Sequence, residues 1–212
     1  LYLHAHGPGF IHTKEQPVRS LDDLKGLKIR CPGSVAETIS SLGATPVTMP
    51  MPEVYQALQK GVVEGAVYPM ETNQGWKMGE VIDYSVANYS TAYSVGFFVV
   101  MNKDKWDTLP KELQSAIEGV NSEWAIKHGR AWDESDFQGI RTSLTEGNSV
   151  IGLDEEEQDR WVEAVQPVFD AYVEKAESKG LPGKKVLSFL EEQLEAFHQG
   201  KFSSQYFPSA MD

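Results

Sequence analysis

The sequence of 212 residues has little of what several common protein classes require. It contains one cysteine, Cys31, so no disulfide bond can form within the chain. Lys and Arg number 19 against 31 Asp and Glu, and the net charge of -12 argues against a general nucleic-acid binder, which needs a basic face. No run of about 18 apolar residues occurs, the length that a membrane-spanning helix requires.

Signatures of catalysis are also missing. The sequence has no G-x-S-x-G elbow, no Walker loop and no dinucleotide-binding fingerprint. Cys31 stands in no motif typical of a catalytic cysteine. The acidic run at 155–157 lies at a predicted helix start, where the helix dipole explains it. We therefore expect neither an enzyme nor a cofactor.

The composition is that of a folded protein, with 41% hydrophobic and 24% charged residues. The first residues read as a β-strand already under way, without an initiating Met or a signal-peptide core. We therefore expect the chain to begin inside a longer protein.

Strand and helix patterns alternate three times between residues 27 and 80, which predicts an α/β sheet with largely parallel strands. The predicted strands cover 27–31, 45–49 and 64–68, and the predicted helices cover 35–42, 52–59 and 71–80. Ligands of such sheets lie at the carboxyl ends of the strands. Those ends are Arg30-Cys31, Met49-Pro50-Met51 and Val67-Tyr68-Pro69.

The rest of the chain is predicted to be more helical. The apolar run 96–101 is typical of a strand buried on both faces. Residues 110–145 contain no proline after Pro110 and predict one helix of about 50 Å, long enough to brace two lobes. Further predicted elements are strands at 83–88 and 149–153 and helices at 154–179 and 183–197, and no regular pattern follows residue 200.

Several stretches together resemble the DctP-like solute receptors of TRAP transporters. They are DLKGLKIR at 23–30, LGATP at 42–46, PEVYQALQ at 52–59, GVVEG at 61–65 and NKDKW at 102–106. The resemblance implies a type II periplasmic-binding-protein fold with two lobes, a long bridging helix and an incomplete first lobe. It assigns 1–95 to the second lobe, 96–135 to a returning part of the first lobe, and 136–212 to C-terminal helices packing on the second lobe.

The resemblance also implies a function. Such a receptor binds a small organic acid in the periplasm and delivers it to TRAP membrane subunits, without nucleotide. Arg30 matches the arginine that grips the ligand carboxylate, and a guanidinium suits that task because its fork of donors fits a carboxylate. Met51 matches a residue of the pocket wall. Tyr68 stands where many members have an asparagine, so we expect a smaller or more apolar or aromatic acid.

A second arginine of the family, after a Gly-aromatic pair, has no counterpart beside Gly9-Phe10. We expect His12, or else His6 or His4, to supply a donor in its place. Glu71 and Tyr93 are further candidates for the pocket. Because the first lobe is incomplete, the apolar strand at 96–101 is expected to lack its natural neighbours, which favours dimers or strand exchange.

Two alternatives stay open at this point. His4 and His6 face the same side of a strand, and with His12, Glu71 or Asp83 they would make a zinc site. The chain is otherwise compatible with the ligand-sensing domain of a membrane receptor, since such domains share this fold.

Overall fold

The computed structural model describes residues 1–200, and within them it contains eight strands and seven helices. The strands are β1 (Tyr2–Ala5), β2 (Gly9–Thr13), β3 (Lys28–Cys31), β4 (Thr45–Thr48), β5 (Gly65–Pro69), β6 (Tyr84–Val86), β7 (Gly96–Val99) and β8 (Ser149–Ile151). The helices are α1 (Ala36–Ser41), α2 (Val54–Gln59), α3 (Thr72–Gly75), α4 (Lys103–Asp107), α5 (Lys111–Thr145), α6 (Glu155–Glu177) and α7 (Gly183–His198).

The chain divides into two compact units, Leu1–Val165 and a second unit that begins at Gln166. In the second unit α7 starts at Gly183, whose backbone lies against Ala176 and Val173. A β-carbon at Gly183 would lie 2.9 Å from that of Ala176, so glycine permits the close approach. The tail after residue 200, predicted to be irregular, lies outside the described residues.

Six strands form the main sheet, in the order β4-β3-β5-β2-β6-β8. The pairs β3–β4, β3–β5 and β6–β8 are parallel, whereas β2 is antiparallel to both of its neighbours. The three strands from which the sequence predicts a largely parallel sheet, β3, β4 and β5, are indeed joined by parallel pairs, and the antiparallel β2 is a strand that the sequence does not predict. β2 begins at Gly9, directly after Gly7-Pro8, and contains the buried polar residues His12 and Thr13, so its sequence lacks the apolar run of an interior strand.

The turn before β3 is stabilised by the Asp23 side chain. The Asp23 carboxylate accepts hydrogen bonds from the backbone N–H groups of Arg19 and Ser20, both at 2.9 Å. Gly26 adopts φ +80°, a conformation that favours glycine, and so lets the chain reverse into the strand. These contacts lead directly to Arg30 near the carboxyl end of β3.

Two apolar clusters pack on opposite faces of the sheet. One includes Ile29 and Val67, and the other includes Ala66 and Tyr68. Neighbouring residues of a strand point to opposite faces, which accounts for this division along β5. Arg30 is paired with Ala66, so its side chain projects on the same face as Ala66 and Tyr68.

The helix predicted at 71–80 is interrupted. α3 ends at Gly75, Lys77 takes a left-handed conformation with φ 56°, and a short 3-10 turn follows at Met78–Glu80. The buried Met78 belongs to the apolar cluster around Tyr68. The prediction of one continuous helix is wrong because burying Met78 requires a break that periodicity alone does not reveal.

β7 pairs with β1 in a separate two-stranded antiparallel sheet. The expectation that residues 96–101 are buried on both faces is wrong for this chain, since Phe98 is 69% exposed and Val100 is 67% exposed. Among the described residues β1 is the only ladder partner of β7, and a two-stranded ribbon leaves much of its surface uncovered.

α5 spans 35 residues, as predicted from its pattern. The C-terminal half of this helix contacts β1 and α3, so it runs beside both the ribbon and the end of β5. Within residues 1–200 no helix has the length and apolar character that crossing a bilayer requires.

Candidate functional site

Arg30, near the carboxyl end of β3, contacts residues near the carboxyl ends of β4 and β5. Its Nε donates to the Met49 carbonyl at 3.0 Å, and its Nη2 donates to the same oxygen at 2.8 Å. Its Nη1 donates to the Val67 carbonyl at 3.3 Å and lies 3.6 Å from the Met51 sulfur. The strand ends that the sequence predicts as a ligand site therefore meet around one guanidinium.

The charge of this guanidinium has no ionic partner in the part of the chain that the structure describes. Arg30 is only 5% exposed, and burial lowers its pKa, yet an arginine stays protonated in proteins. Carbonyl dipoles and a thioether hold it, and neither carries a compensating charge. A buried cation without a counterion is costly, so this position suits an incoming anion.

Met51 and Tyr93 also lie close to Arg30. The Met51 sulfur is a weak acceptor that a carboxylate oxygen would outcompete. Burial raises the pKa of Tyr93 to about 12, while the nearby Arg30 charge opposes that rise. The Tyr93 ring lies so close to Gly9 that a β-carbon there would come 2.0 Å from the ring, which explains the glycine. Both residues therefore belong to the surroundings of the cation.

Tyr68 is fully buried on the same face of the sheet, and its hydroxyl has no hydrogen-bond partner among residues 1–200. Burial raises its pKa well above the usual range, with Arg30 acting in the opposite direction. The phenol is therefore a neutral donor near the cation. A buried hydroxyl without a partner costs about 1–3 kcal/mol, a cost that a hydrogen bond to an acceptor would remove.

The ring of His12 is stacked on the ring of Tyr68. The two rings are parallel within 7°, with centroids 3.9 Å apart. Nε2 of His12 donates to the Tyr68 carbonyl at 2.9 Å, and Nδ1 accepts from the Ser85 hydroxyl at 2.8 Å. Burial lowers the pKa of His12 to about 4, so the imidazole is neutral at pH 7. Both ring nitrogens are thus engaged inside the protein, and His12 holds Tyr68.

Glu71 belongs to a neighbouring group with Asp136 and His6. The backbone N–H of Glu71 donates to Asp136 Oδ1 at 2.9 Å, and its carboxylate accepts from Thr72 at 2.9 Å. Burial raises the pKa of both carboxyl groups, and His6 lowers both. The ring of His6 meets that of Tyr93 edge-on at 5.3 Å, so Tyr93 links this group to the surroundings of Arg30.

The histidine and carboxylate side chains that the zinc alternative requires are not brought together among the described residues. Among residues 1–200 no three His, Cys, Asp or Glu side chains are placed to hold a metal ion. His4 is stacked on His128 with centroids 3.9 Å apart, and Nδ1 of His4 accepts from the Trp132 indole at 3.3 Å. Cys31 is buried, and burial raises its pKa, so its thiol is not activated as a nucleophile.

Three residues of the site could not have been picked from the sequence. Asp136 lies among the charges of α5, where its spacing looks like an ordinary solvated face. Ser85 and Gly9 become meaningful only through contacts with His12 and Tyr93, which are distant along the chain. No local pattern marks such long-range contacts.

The family described as bacterial extracellular solute-binding protein, family 7 (DctP), matches residues 2–176. The chain belongs to this family, which confirms the family that the sequence motifs indicate. It is a family of binding proteins, in agreement with the expectation that the chain is not an enzyme.

A curated relative is the C4-dicarboxylate-binding periplasmic protein DctP of Rhodobacter capsulatus, which is 32% identical over 170 residues. The match covers 78% of this chain and 50% of that protein. The chain thus spans about half the length of this relative.

Two solved structures of TRAP solute-binding proteins are similar in fold. One, from a marine metagenome and specific for aromatic acid ligands, contains metahydroxyphenylacetate and has 30% identity and a TM-score of 0.83. The other, from Rhodoferax ferrireducens T118, contains copurified benzoate and has 31% identity and a TM-score of 0.82. Each match covers 89% of this chain and 60% of the other. The predicted type II periplasmic-binding fold is therefore confirmed, and the chain spans about 60% of each of these structures.

Proposed function

We propose that this chain is the carboxylate-binding part of a periplasmic receptor that delivers a small organic acid to the membrane subunits of a TRAP transporter. The observation that carries the proposal is the buried Arg30 guanidinium, held by the Met49 and Val67 carbonyls without an ionic partner among the described residues. Since the chain has a net charge of -12, long-range attraction does not favour an anion. Local positive charge at Arg30 has to hold it.

The neighbouring residues take distinct roles in this proposal. Arg30 pairs with the carboxylate, and a carboxylate oxygen replaces the Met51 sulfur at Nη1. The Tyr68 hydroxyl gains an acceptor, and Tyr93 and Met51 contact the body of the ligand. His12 supports Tyr68 from behind. Glu71 belongs to the group with Asp136 and His6, and its carboxylate selects against a second negative charge on the ligand.

The ligand that suits these walls is a monocarboxylic acid with an apolar or aromatic body. Two phenols and a thioether offer area and polarisable contacts, but little that would compensate a second carboxylate. The two aromatic acids bound by the similar structures support this choice. The carboxylates of Glu71 and Asp136 support it as well, because they disfavour a dianion nearby.

A thermal-shift screen of the complete gene product tests the proposal. The probes are benzoate, 3-hydroxyphenylacetate, pyruvate, succinate and glucuronate, each added in excess. A ligand that binds only the folded state raises the melting temperature according to its concentration relative to Kd. We expect benzoate or 3-hydroxyphenylacetate to give the largest rise. A rise with succinate alone would contradict the proposed ligand class, and no rise with any acid would contradict the receptor function.

The sensor alternative predicts the same ligand but a different protein architecture. A cleavable signal peptide and a soluble C-terminus in the complete reading frame support the transporter receptor, whereas flanking membrane helices support a sensing domain. The similarity of the chain to periplasmic binding proteins favours the receptor.

The exposed ribbon of β1 and β7 favours association between copies of the isolated 212-residue chain. Leu3 and Phe98 are exposed on it, as is Val100 directly after β7, and uncovered apolar strands promote pairing between chains. We expect light scattering of the isolated chain to show dimers or larger species. A monodisperse monomer at all concentrations would contradict this expectation.

A further inference from the structure

One face of the long helix α5 holds the segment that follows Tyr68. Asp136, Gly139 and Ser143 lie on this face because residues three and four positions apart are neighbours on a helix. Asp136 Oδ1 accepts from the backbone N–H of Glu71 at 2.9 Å. The Ser143 hydroxyl accepts from the Asn73 amide at 2.7 Å.

Gly139, between these two contacts, lies directly against the backbone of Met70. A β-carbon at position 139 would lie 1.9 Å from the Met70 carbonyl oxygen and 2.4 Å from the carbonyl carbon. Neither atom belongs to a flexible side chain, so any larger residue forces the helix and the segment apart. The segment from Met70 to Asn73 is thus held on α5 at three successive points.

The contact is buried and closely fitted. Ser143, Asn73 and Met70 are almost completely inaccessible to solvent. Ser143 also donates to the Gly139 carbonyl of its own helix at 3.1 Å, which fixes the orientation of the hydroxyl that receives Asn73. A displacement of α5 at this position is therefore transmitted to the segment without an intervening solvent layer.

The same segment is continuous with the acid site. Met70 follows Pro69, whose ring restricts the backbone, and Pro69 follows Tyr68. The Val67 carbonyl, one residue earlier, accepts from Arg30 at 3.3 Å. A shift of Met70 therefore moves Tyr68 and changes the carbonyl that orients the guanidinium.

We propose that Asp136, Gly139 and Ser143 are positioning residues for the acid site. They set the place of Tyr68, and through the Val67 carbonyl that of Arg30, so that α5 and the site move as one unit. The part of this proposal that concerns ligand affinity rests on the proposed function. The part that concerns the positions of Tyr68 and Arg30 does not.

The other glycines of α5 supply matched controls. Glycine within a helix is less favourable than alanine, so a helix gains stability from Gly→Ala where space allows. At positions 119 and 129 no atom of the described part of the chain lies within 4 Å of an added β-carbon. Gly129→Ala and Gly139→Ala make the same chemical change on the same helix, and only the second meets the Met70 backbone.

The first experiment compares these two variants by NMR in the ligand-free protein. We expect Gly139→Ala to shift the amide resonance of Tyr68 and the Nε–H resonance of Arg30, and Gly129→Ala to leave both in place. Unshifted Tyr68 and Arg30 resonances in a folded Gly139→Ala variant would overturn the proposal. Should Gly139→Ala not fold, the Asp136 variants below decide the same point.

The second experiment uses Asp136, where a conservative variant keeps the acceptor. Asp136→Asn retains Oδ1 for the Glu71 N–H, whereas Asp136→Ala removes it. We expect slow hydrogen exchange of the Glu71 amide in the wild type and in Asp136→Asn, and faster exchange in Asp136→Ala. The Tyr68 and Arg30 resonances should shift only in the alanine variant. Equal exchange and equal resonances in the two variants would overturn the proposal.

Calorimetry with benzoate on the complete gene product then connects position to affinity. We expect Asp136→Ala and Gly139→Ala to weaken benzoate by at least about tenfold, while Asp136→Asn and Gly129→Ala stay close to the wild type. A purely structural role predicts fewer binding-competent molecules with unchanged affinity, which calorimetry separates. Wild type that binds none of the screened acids would count against the proposed function, whereas the NMR comparisons would still decide the positioning role.

Discussion

The imidazole of His12 lies flat on the ring of Tyr68, with centroids 3.9 Å apart and an angle of 7° between the planes. The same imidazole donates to the Tyr68 backbone carbonyl at 2.9 Å. Both the side chain and the main chain of Tyr68 are thereby held by one residue, which is neutral at pH 7 because burial lowers its pKa to about 4.

This pair predicts a loss of stability in acid. Between pH 4 and about 6.5 the unfolded chain protonates His12 while the folded protein does not, so unfolding takes up a proton and stability rises with pH. The contribution is complete above about pH 6.5 and is lost as the pH falls towards 4, with a total of about 3 kcal/mol. Urea unfolding between pH 4 and 7 measures it.

The variants His12→Phe and Ser85→Ala separate titration from hydrogen bonding. His12→Phe keeps a ring on Tyr68 but removes the titrating group, so its free energy of unfolding should depend less on pH in this range. It should also be lower at pH 7 by roughly 1–3 kcal/mol, since two buried polar atoms lose their partner. Ser85→Ala should keep the wild-type pH dependence. An unchanged slope in His12→Phe would disprove this explanation.

Asp136 predicts the opposite dependence on pH. Burial raises its pKa in the folded protein, so folding favours the protonated form, and stability falls as the pH rises from about 4 through the folded pKa. Glu71, His6 and Asp133 act on the same carboxyl group. Asp136→Asn should therefore gain stability relative to the wild type as the pH rises. Parallel denaturant titrations measure the free energy of unfolding of the two proteins. A difference between them that stays constant with pH would contradict this prediction.

Gly9 predicts a steric effect on Tyr93. A β-carbon at position 9 would lie 2.0 Å from the Tyr93 ring, so Gly9→Ala forces the ring away and should lower the free energy of unfolding by about 1–3 kcal/mol. Gly96→Ala is the matched control, because no atom of the residues that the structure describes lies within 4 Å of an added β-carbon there. Denaturant midpoints measure the difference, and equal midpoints for the two variants would argue against the packing of Tyr93 on Gly9.

Tyr68→Phe should separate stability from binding. Removing a buried hydroxyl that has no partner in the described part of the chain should stabilise the free protein by about 1 kcal/mol. The same change should weaken acid binding, because the hydroxyl obtains an acceptor only from the ligand. Tyr55→Phe is the control, since the Tyr55 hydroxyl donates to Glu80 at 2.9 Å on the surface. Lower stability of Tyr68→Phe, together with unchanged affinity, would contradict both parts.

The surroundings of Arg30 could be predicted from the sequence. The residue stands at the end of a short strand after a recognisable turn, and parallel strands bring their carboxyl ends to one edge, so its meeting with Met49 and Val67 follows from local patterns. The helix α5 is likewise predictable from spacing and the absence of proline.

Other features depend on contacts that no local pattern records. β2 cannot be recognised from the sequence because it contains the buried His12. The two hydrogen-bond partners of His12, Ser85 and Tyr68, lie far along the chain. The break after Gly75 depends on where Met78 is buried. Asp136 looks like any charge on a helix surface until its carboxylate is seen to accept the Glu71 N–H.

The pairing of Arg30 with a ligand carboxylate is tested most directly by calorimetric titration of the complete gene product with the acid that the thermal-shift screen identifies. Arg30→Ala should abolish detectable binding, and Arg30→Lys should weaken it by about 10- to 100-fold, because an ammonium lacks the bidentate fork. The exposed Arg19 is the control, and Arg19→Ala should bind like the wild type. Wild-type affinity in a folded Arg30→Ala variant would contradict the assignment of Arg30 as the carboxylate anchor.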